Sequence, residues 1–165
     1  LDDLMRARTG EPFDRDGKAA LAGTPDQRIL GKLLEHPYFG KAWPKSLDRM
    51  DFTGEAVAGL STEDAAATLT AFTAMSIALG IGRLEEKPAL AVICGGGANN
   101  PVLMDELRRM PCDIKSADEM GWSSEAMEAE AFAYLAVRSK KGLPITWPTT
   151  TGVGKPLTGG VLALP

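Results

Sequence analysis

The spacing of hydrophobic and polar positions predicts a chain of helices separated by short strands. Most apolar residues fall into segments of helical spacing that are bounded by capping residues or glycines. The predicted helices cover residues 1–8, 25–34, 61–79, 101–110 and 123–140. Short β-branched and apolar runs predict strands over 89–93, 113–115 and 160–164. The polar or Gly/Pro-containing segments predict loops at 11–23 (with a helical turn at 18–21), 36–51 and 145–155.

Capping residues mark the predicted helix boundaries. Thr24 precedes Pro25, a residue favoured at the first position of a helix. Ser61 and the acidic residues after it have the pattern of a capping box. The helix that begins there is expected to end at Gly80 and Gly82. It is apolar on nearly every side, so we expect it to pack against more than one neighbour.

Length, charge and composition narrow the possible classes of function. The 165 residues carry a formal net charge of −4 and no basic stripe, so nucleic acid is not an expected partner. No apolar run approaches the roughly 18 residues of a membrane span, and no leader sequence is recognisable. We therefore expect a cytoplasmic protein that makes no membrane contact. Strands that alternate with helices predict one α/β domain over residues 1–165, with a small, mostly parallel sheet.

Cysteine and histidine positions predict no metal site. Cys94 and Cys112 lie far apart and match no metal-ligand spacing, and we expect both to be reduced thiols in the core. His36 has no second His with which to form a ligand set, and we interpret it as a surface or packing residue.

An apolar strand runs directly into three glycines in the segment LAVICGGGANNP, residues 90–101. We expect a buried strand, a tight turn, and a helix whose N-terminus favours a negative or polar group. The turn is not the dinucleotide fingerprint, because Asn100 stands where the third glycine of G-x-G-x-x-G would fall. No Lys-Ser or Lys-Thr pair follows, so it is not a P-loop either. Two interpretations stay open: a nucleotide-binding turn, and a turn kept tight only for packing.

Two further groups of polar residues have both a structural and a functional interpretation. Glu128 has Phe132 and Leu135 as neighbours at helical spacing, on an apolar face where an unpaired carboxylate is costly. It therefore reaches solvent, pairs with an Arg or Lys, or faces a ligand cavity, and periodicity favours the first two. The polar loop at 44–49 either binds a ligand or is a solvated charged loop.

Segments along the whole chain resemble those of the anhydro-N-acetylmuramic acid kinases, in the sugar kinase/actin-like superfamily. The turn CGGGANNPVLM at 94–104 resembles the family's adenosine-side glycine motif, and MEAEAFAYLA at 127–136 resembles its penultimate helix. The other segments that carry the resemblance are LDDLMRARTG at 1–10, PKSLDRMDF at 44–52, and the terminal stretch at 151–160. The resemblance implies the helix-rich C-terminal lobe of an actin-like, ribonuclease H-like kinase.

The resemblance also implies an activity and a set of site residues. The complete enzyme would use ATP and Mg²⁺ to phosphorylate 1,6-anhydro-N-acetylmuramic acid while water opens the anhydro ring. The product, N-acetylmuramic acid 6-phosphate, belongs to peptidoglycan recycling. The implied nucleotide-binding residues, for ATP and ADP, are Gly95, Gly96, Gly97 and Asn100. The implied residues of the sugar site are Glu128, Lys45, Ser46 and Arg49. Asn99 stands where the family is expected to carry a basic residue.

Other parts of such an enzyme are expected outside these residues. The chain begins at Leu1, within an amphipathic run and without Met, which is the pattern of a fragment. By the resemblance, the catalytic base would be an aspartate in an Asp-x-Gly-Pro-x-Asn loop, and this loop would directly precede Leu1. The N-terminal lobe would supply the first phosphate loop and most of the sugar site. The Mg²⁺ ion would be bound mainly by residues of the absent part. We therefore expect no catalytic residue here, an inactive isolated chain, and homodimers formed through exposed apolar surface.

Two rival interpretations treat the chain as complete. The first is a non-enzymatic adenine-nucleotide-binding module, which predicts ATP or ADP binding that a bulky residue in place of Gly96 abolishes. The second is a packing or dimerisation domain, which predicts no nucleotide affinity and an oligomer unchanged by the same substitution.

Overall fold

The computed structural model describes residues 1–48 and 51–163, an α/β fold in which helices outnumber strands. The α-helices are α1 (Asp2–Thr9), α2 (Lys18–Ala22), α3 (Gln27–Leu34), α4 (Thr62–Gly82), α5 (Pro101–Leu107), α6 (Met127–Lys140) and α7 (Pro148–Thr151). The strands β1 (Leu90–Ile93) and β2 (Asp113–Ser116) pair in parallel, in a register that sets Leu90 opposite Asp113. The predicted α/β class and parallel sheet are therefore confirmed.

Helix α4 lies at the centre of the fold. Its N-terminal half packs against α2 and α3, and both Ala65 and Ala66 are fully buried there. These small side chains belong to a core cluster with Leu4 of α1 and Val57. These small residues let α2 and α3 approach α4 closely. Because α4 contacts both helices, its predicted packing on more than one side is confirmed.

A second core cluster joins α4, α5 and the sheet. Its buried members are Ala74 of α4, Met104 and Leu107 of α5, and Ile114 of β2. The cluster holds both α5 and β1 in place. It therefore positions the glycine turn, which connects these two elements.

By length and composition, α4 is also the one described helix that could cross a membrane. An 18-residue window in it has a mean hydropathy of 1.6, and 39% of that window is buried in the protein. No segment of this kind is expected from the sequence. Burial of its N-terminal half in the core accounts for the apolar composition, since core helices commonly have such stretches.

Helix N-termini follow the predicted caps at α4 but not at α3 or α6. Ser61 caps α4, its Oγ accepting the N–H of Asp64 at 3.0 Å. Helix α3 begins after Asp26 rather than Thr24, because a carboxylate oxygen of Asp26 accepts the N–H of Ile29 at 2.8 Å. Helix α6 begins at Met127 rather than at residue 123.

The C-terminal part of the chain differs most from the prediction. Residues 160–163 form no strand, and residue 164 lies outside the described part of the chain. Thr146 and Leu157 instead make a single antiparallel bridge. The predicted loop at 145–155 contains the short helix α7.

The sheet is less buried than its sequence suggested. Leu90 is exposed, and the rest of β1 is only half-buried. Both cysteines are free thiols, as predicted. Cys112 is half-buried and packs against the second core cluster, but Cys94 is exposed, so its predicted place in the core was wrong. The packing interpretation of His36 is confirmed, because its ring centroid lies 4.8 Å from that of Phe52.

Candidate functional site

The glycine turn leaves β1 in a conformation that only glycine adopts readily. Gly95 has φ 82° and ψ 180°, outside the regions open to residues with a Cβ. A single 3₁₀ turn, Gly96–Asn99, follows it. The first N–H groups of such a turn, those of Gly96 and Gly97, have no acceptor within the turn itself. A Cβ placed on Gly96 would meet no atom within 4 Å, so this residue borders open space.

Asn100 has a structural role at the end of the turn. Its Oδ1 accepts the N–H of Leu103 at 3.1 Å and so caps α5, and the residue is only 8% exposed. Gly17 packs directly against it, since a Cβ on Gly17 would lie 2.6 Å from Asn100 Oδ1. The oxygen of this amide is therefore engaged within the protein.

A hydrogen-bonded loop after β2 holds the turn from its other side. Gly95 donates its N–H to the carbonyl oxygen of Ser124 at 2.8 Å. Ser124 in turn donates its N–H to a carboxylate oxygen of Asp118 at 3.3 Å. Ser124, through its nearby side chain and its backbone N–H, lowers the pKa of Asp118 below its usual value. Among the described residues, however, Ser124 Oγ has no hydrogen-bond partner, so the backbone N–H makes the direct bond.

The same loop contains a capping box that the sequence analysis missed. Ser116 Oγ accepts the N–H of Glu119, and a Glu119 carboxylate oxygen accepts the N–H of Ser116 at 2.7 Å. These bonds lower the pKa of Glu119. The S-x-x-E spacing was present in the sequence and could have revealed the box.

The glycine turn opens into a cavity of about 620 Å³. One wall consists of the turn, and another consists of the loop before α2. The residues that line these walls include Gly96, Gly97, Asn100, Phe13, Asp14, Arg15, Asp16, Asp2 and Glu125. The structure thus brings three of the four predicted nucleotide-binding residues to one cavity.

Its second wall was not anticipated from the sequence. Asp14 is 5% exposed, and its two carboxylate oxygens accept the N–H groups of Ala19 and Ala20 at 2.8 and 3.0 Å. Asp16 has a left-handed backbone, with φ 58°. The polar, Gly-ending run at 14–17 was a signal of an ordered turn, but nothing local in it indicated which part of the chain it would face.

The charged lining of the cavity is mostly acidic. Asp2, Asp14, Asp16 and Glu125 carry carboxylates, while Arg15 is the one Lys or Arg among the lining residues that the structure describes. A polyphosphate would be repelled by these carboxylates unless cations accompanied it, whereas a neutral nucleoside would not. The electrostatics therefore favour an uncharged ligand, or the uncharged part of a larger one.

The predicted loop residues lie apart from this cavity. Lys45 donates from Nζ to the carbonyl oxygens of Tyr38 and Phe39, at 3.0 and 3.5 Å. Its Nζ lies 4.4 Å from the Tyr38 ring centroid and 4.8 Å from that of Trp43. Desolvation, with lesser contributions from nearby cations, lowers the pKa of Lys45. This lysine lines a separate pocket of about 200 Å³ beside the C-terminal part of α4.

Two of the remaining predicted sugar-site residues are exposed, and one is not described. Ser46 is exposed on the same loop, and Arg49 lies outside the described residues. Glu128 is exposed on α6, as is Phe132 beside it, so the apolar face of α6 is not buried within this chain. Of the three explanations for Glu128, exposure to solvent is the one seen here.

Across residues 1–48 and 51–163, no three or more His, Cys, Asp or Glu side chains form a group that could hold a metal ion. Asp14, the buried acid of the cavity, already uses both oxygens on backbone N–H groups.

Comparison with known proteins gives a consistent family. The chain matches the model of the anhydro-N-acetylmuramic acid kinase family over residues 1–164. It is 50%, 51% and 50% identical to the anhydro-N-acetylmuramic acid kinases of Nitrobacter winogradskyi, Methylobacterium nodulans and Caulobacter vibrioides. These alignments cover 100%, 100% and 97% of this chain, but 46%, 44% and 43% of the relatives. The chain thus spans a little under half the length of the curated relatives it matches.

Proposed function

The chain belongs to the anhydro-N-acetylmuramic acid kinase family, and from this we propose that it is the nucleotide-binding, C-terminal part of such a kinase. The whole enzyme would transfer phosphate from ATP to 1,6-anhydro-N-acetylmuramic acid as water opens the anhydro ring. The fold would correspond to the helix-rich lobe of an actin-like kinase. Its physiological role would be in peptidoglycan recycling.

The cavity beside the glycine turn is the observation that carries this proposal. Gly96 borders open space there, so its backbone can approach a ligand without a side chain in between. The N–H groups of Gly96 and Gly97 would donate to the ligand, and Asn100 would hold the end of the turn. The acidic lining suits adenosine, and the phosphates would extend toward groups supplied by the rest of the enzyme.

We propose the sugar-binding residues and the catalytic groups in less detail than the nucleotide site. Glu128, exposed on α6, would face the anhydro-sugar once the rest of the enzyme covers this helix. Lys45, Ser46 and Arg49 would shape the cleft from the neighbouring loop. Mg²⁺ would neutralise charge on the transferred phosphate, held mainly by residues beyond this chain. The base that activates water would also lie beyond it, so the isolated chain would be inactive.

Calorimetric titration of the purified chain with ATP and ADP tests the proposal. We expect binding that Gly96→Leu abolishes, because the new side chain would occupy the cavity without straining the fold. Gly59→Leu is a matched control, since Gly59 is also exposed and a Cβ added to it would meet no atom within 4 Å. Absence of binding by the unmodified chain, or binding unaffected by Gly96→Leu, would contradict the proposed nucleotide site.

A parallel assay tests the proposal that the catalytic groups lie outside this chain. The purified chain, incubated with ATP and the anhydro-sugar, should form no N-acetylmuramic acid 6-phosphate detectable by mass spectrometry. Product formation would show that the catalytic groups lie within these residues.

A further inference from the structure

The wall of the cavity formed by the loop before α2 carries an accessible aromatic ring. We propose that Phe13, with Arg15 stacked on it, is the base-binding wall of this cavity and that the planar base of the nucleotide stacks against the pair. This inference rests on the proposed nucleotide site. It adds the residues that would recognise the base, a role that neither the glycine turn nor the family match assigns.

The geometry of the pair suits a flat, uncharged ligand. Phe13 lines the cavity and is 43% exposed, so part of its ring is accessible to a ligand. The guanidinium carbon of Arg15 lies 4.9 Å from the centre of the Phe13 ring. Aromatic rings and guanidinium planes are the surfaces on which nucleic acid bases stack.

The loop that presents Phe13 is fixed before any ligand arrives. The buried carboxylate of Asp14, next to it in sequence, bonds the N–H groups of Ala19 and Ala20. At the other end of the loop, Gly17 packs against Asn100 of the glycine turn. The two walls are therefore joined to each other, and a pre-organised wall reduces the ordering cost of binding.

The charges around the pair separate the base from the phosphates. Asp16 and Glu125 line the same cavity as Phe13 and disfavour a polyphosphate there. An uncharged purine and its ribose meet no such repulsion. The Phe13–Arg15 pair consequently marks the base end of the site, with the phosphates directed away from these carboxylates.

The test compares three probes, ADP, adenosine and inorganic tripolyphosphate, on the full 165-residue chain. Affinities are measured by calorimetry for ADP and by ligand-observed NMR for adenosine and tripolyphosphate. The variants are Phe13→Ala, which removes the ring, and Phe13→Tyr, which keeps it. Phe132→Ala is the control, because it removes an exposed ring of the same type from α6, outside the cavity.

We expect Phe13→Ala to weaken ADP and adenosine binding roughly tenfold, within the range of base–aromatic stacking. Phe13→Tyr and Phe132→Ala should stay within about twofold of the unmodified chain. The inference falls if Phe13→Ala leaves ADP binding unchanged while Gly96→Leu abolishes it, and the nucleotide site then stands without this wall. It also falls if Phe13→Ala weakens tripolyphosphate binding as much as adenosine binding. No binding of ADP or adenosine to the unmodified chain would overturn both the inference and the site.

Discussion

The backbone N–H of Gly95 donates a 2.8 Å hydrogen bond to the carbonyl oxygen of Ser124. This bond ties the glycine turn to the loop between β2 and α6, although the two residues belong to different elements. Asp118 holds Ser124 in place from the opposite side. The conformation of the turn thus depends on a loop that is distant in sequence and that also brings Glu125 to the cavity.

Replacement of Gly95 by alanine should destabilise the protein by about 1–3 kcal/mol, because its backbone lies in a region that residues with a Cβ avoid. A Cβ added at Gly95 would have no atom within 4 Å, so the cost would be conformational rather than steric. Gly96→Ala is the matched control and should change the free energy of unfolding little. Urea denaturation of both variants measures this, and equal effects would contradict the explanation.

Acid should weaken the contribution of Asp118 to stability. Its pKa is lower in the folded protein than in the unfolded chain, because Ser124 hydrogen bonds favour the carboxylate. The stabilisation is therefore fully present above the unfolded pKa of about 3.9 and is lost as pH falls through the folded pKa. The difference in urea midpoint between the unmodified protein and Asp118→Asn should be larger at pH 7 than at pH 3. A difference independent of pH would show that the charge of Asp118 is not involved.

The close approach of α2 to α4 should make Gly23 intolerant of a side chain. A Cβ at this position would lie 2.1 Å from the carbonyl oxygen of Glu63, a backbone atom that cannot move aside cheaply. We expect Gly23→Ala to cost about 1–3 kcal/mol or more of stability. Gly31→Ala, at an exposed position of α3 where an added Cβ would meet no atom within 4 Å, should instead stabilise by up to about 1 kcal/mol. Thermal unfolding distinguishes the two, and a neutral Gly23→Ala would refute the close approach.

The exposed apolar side chains of α6 should promote self-association. Phe132, Tyr134 and Val137 are 63%, 61% and 54% exposed, and no described residue of α6 is buried. A homodimer that covers this helix would remove the apolar surface from water. Sedimentation velocity over a range of concentrations should show association that Phe132→Glu reduces. Leu21→Glu, at a 74% exposed position of α2, should leave it unchanged. A monomer at all concentrations would contradict the expectation.

Local sequence was sufficient where one residue had a single strong role. Ser61 caps α4 as predicted, because its hydroxyl can bond an N–H only three residues away. The cap of α3 could not be chosen in this way, since Thr24 and Asp26 are both good capping residues. Tertiary contact favours Asp26, whose own N–H donates to Thr68 Oγ1 of α4 at 2.9 Å.

Only the part of the candidate site that depends on local sequence could be predicted. Three consecutive glycines after an apolar strand identified the turn, and Gly95 does need the conformation that glycine allows. Phe13 lies more than eighty positions earlier in the sequence, and no pattern there indicated that it would face the turn. Similarly, the interpretation of Glu128 depended on whether α6 is covered, which periodicity does not determine.

By itself, the sequence determined the α/β class, the approximate positions of the helices and the glycine turn, and it indicated the family. These features follow from interactions between residues close in the chain, or from a pattern of residue types. Only the tertiary structure decided which loop faces Gly96, that Asn100 is used as a cap, and that α6 lies exposed. Those outcomes depend on contacts between distant segments, and their energies arise only when the chain is packed.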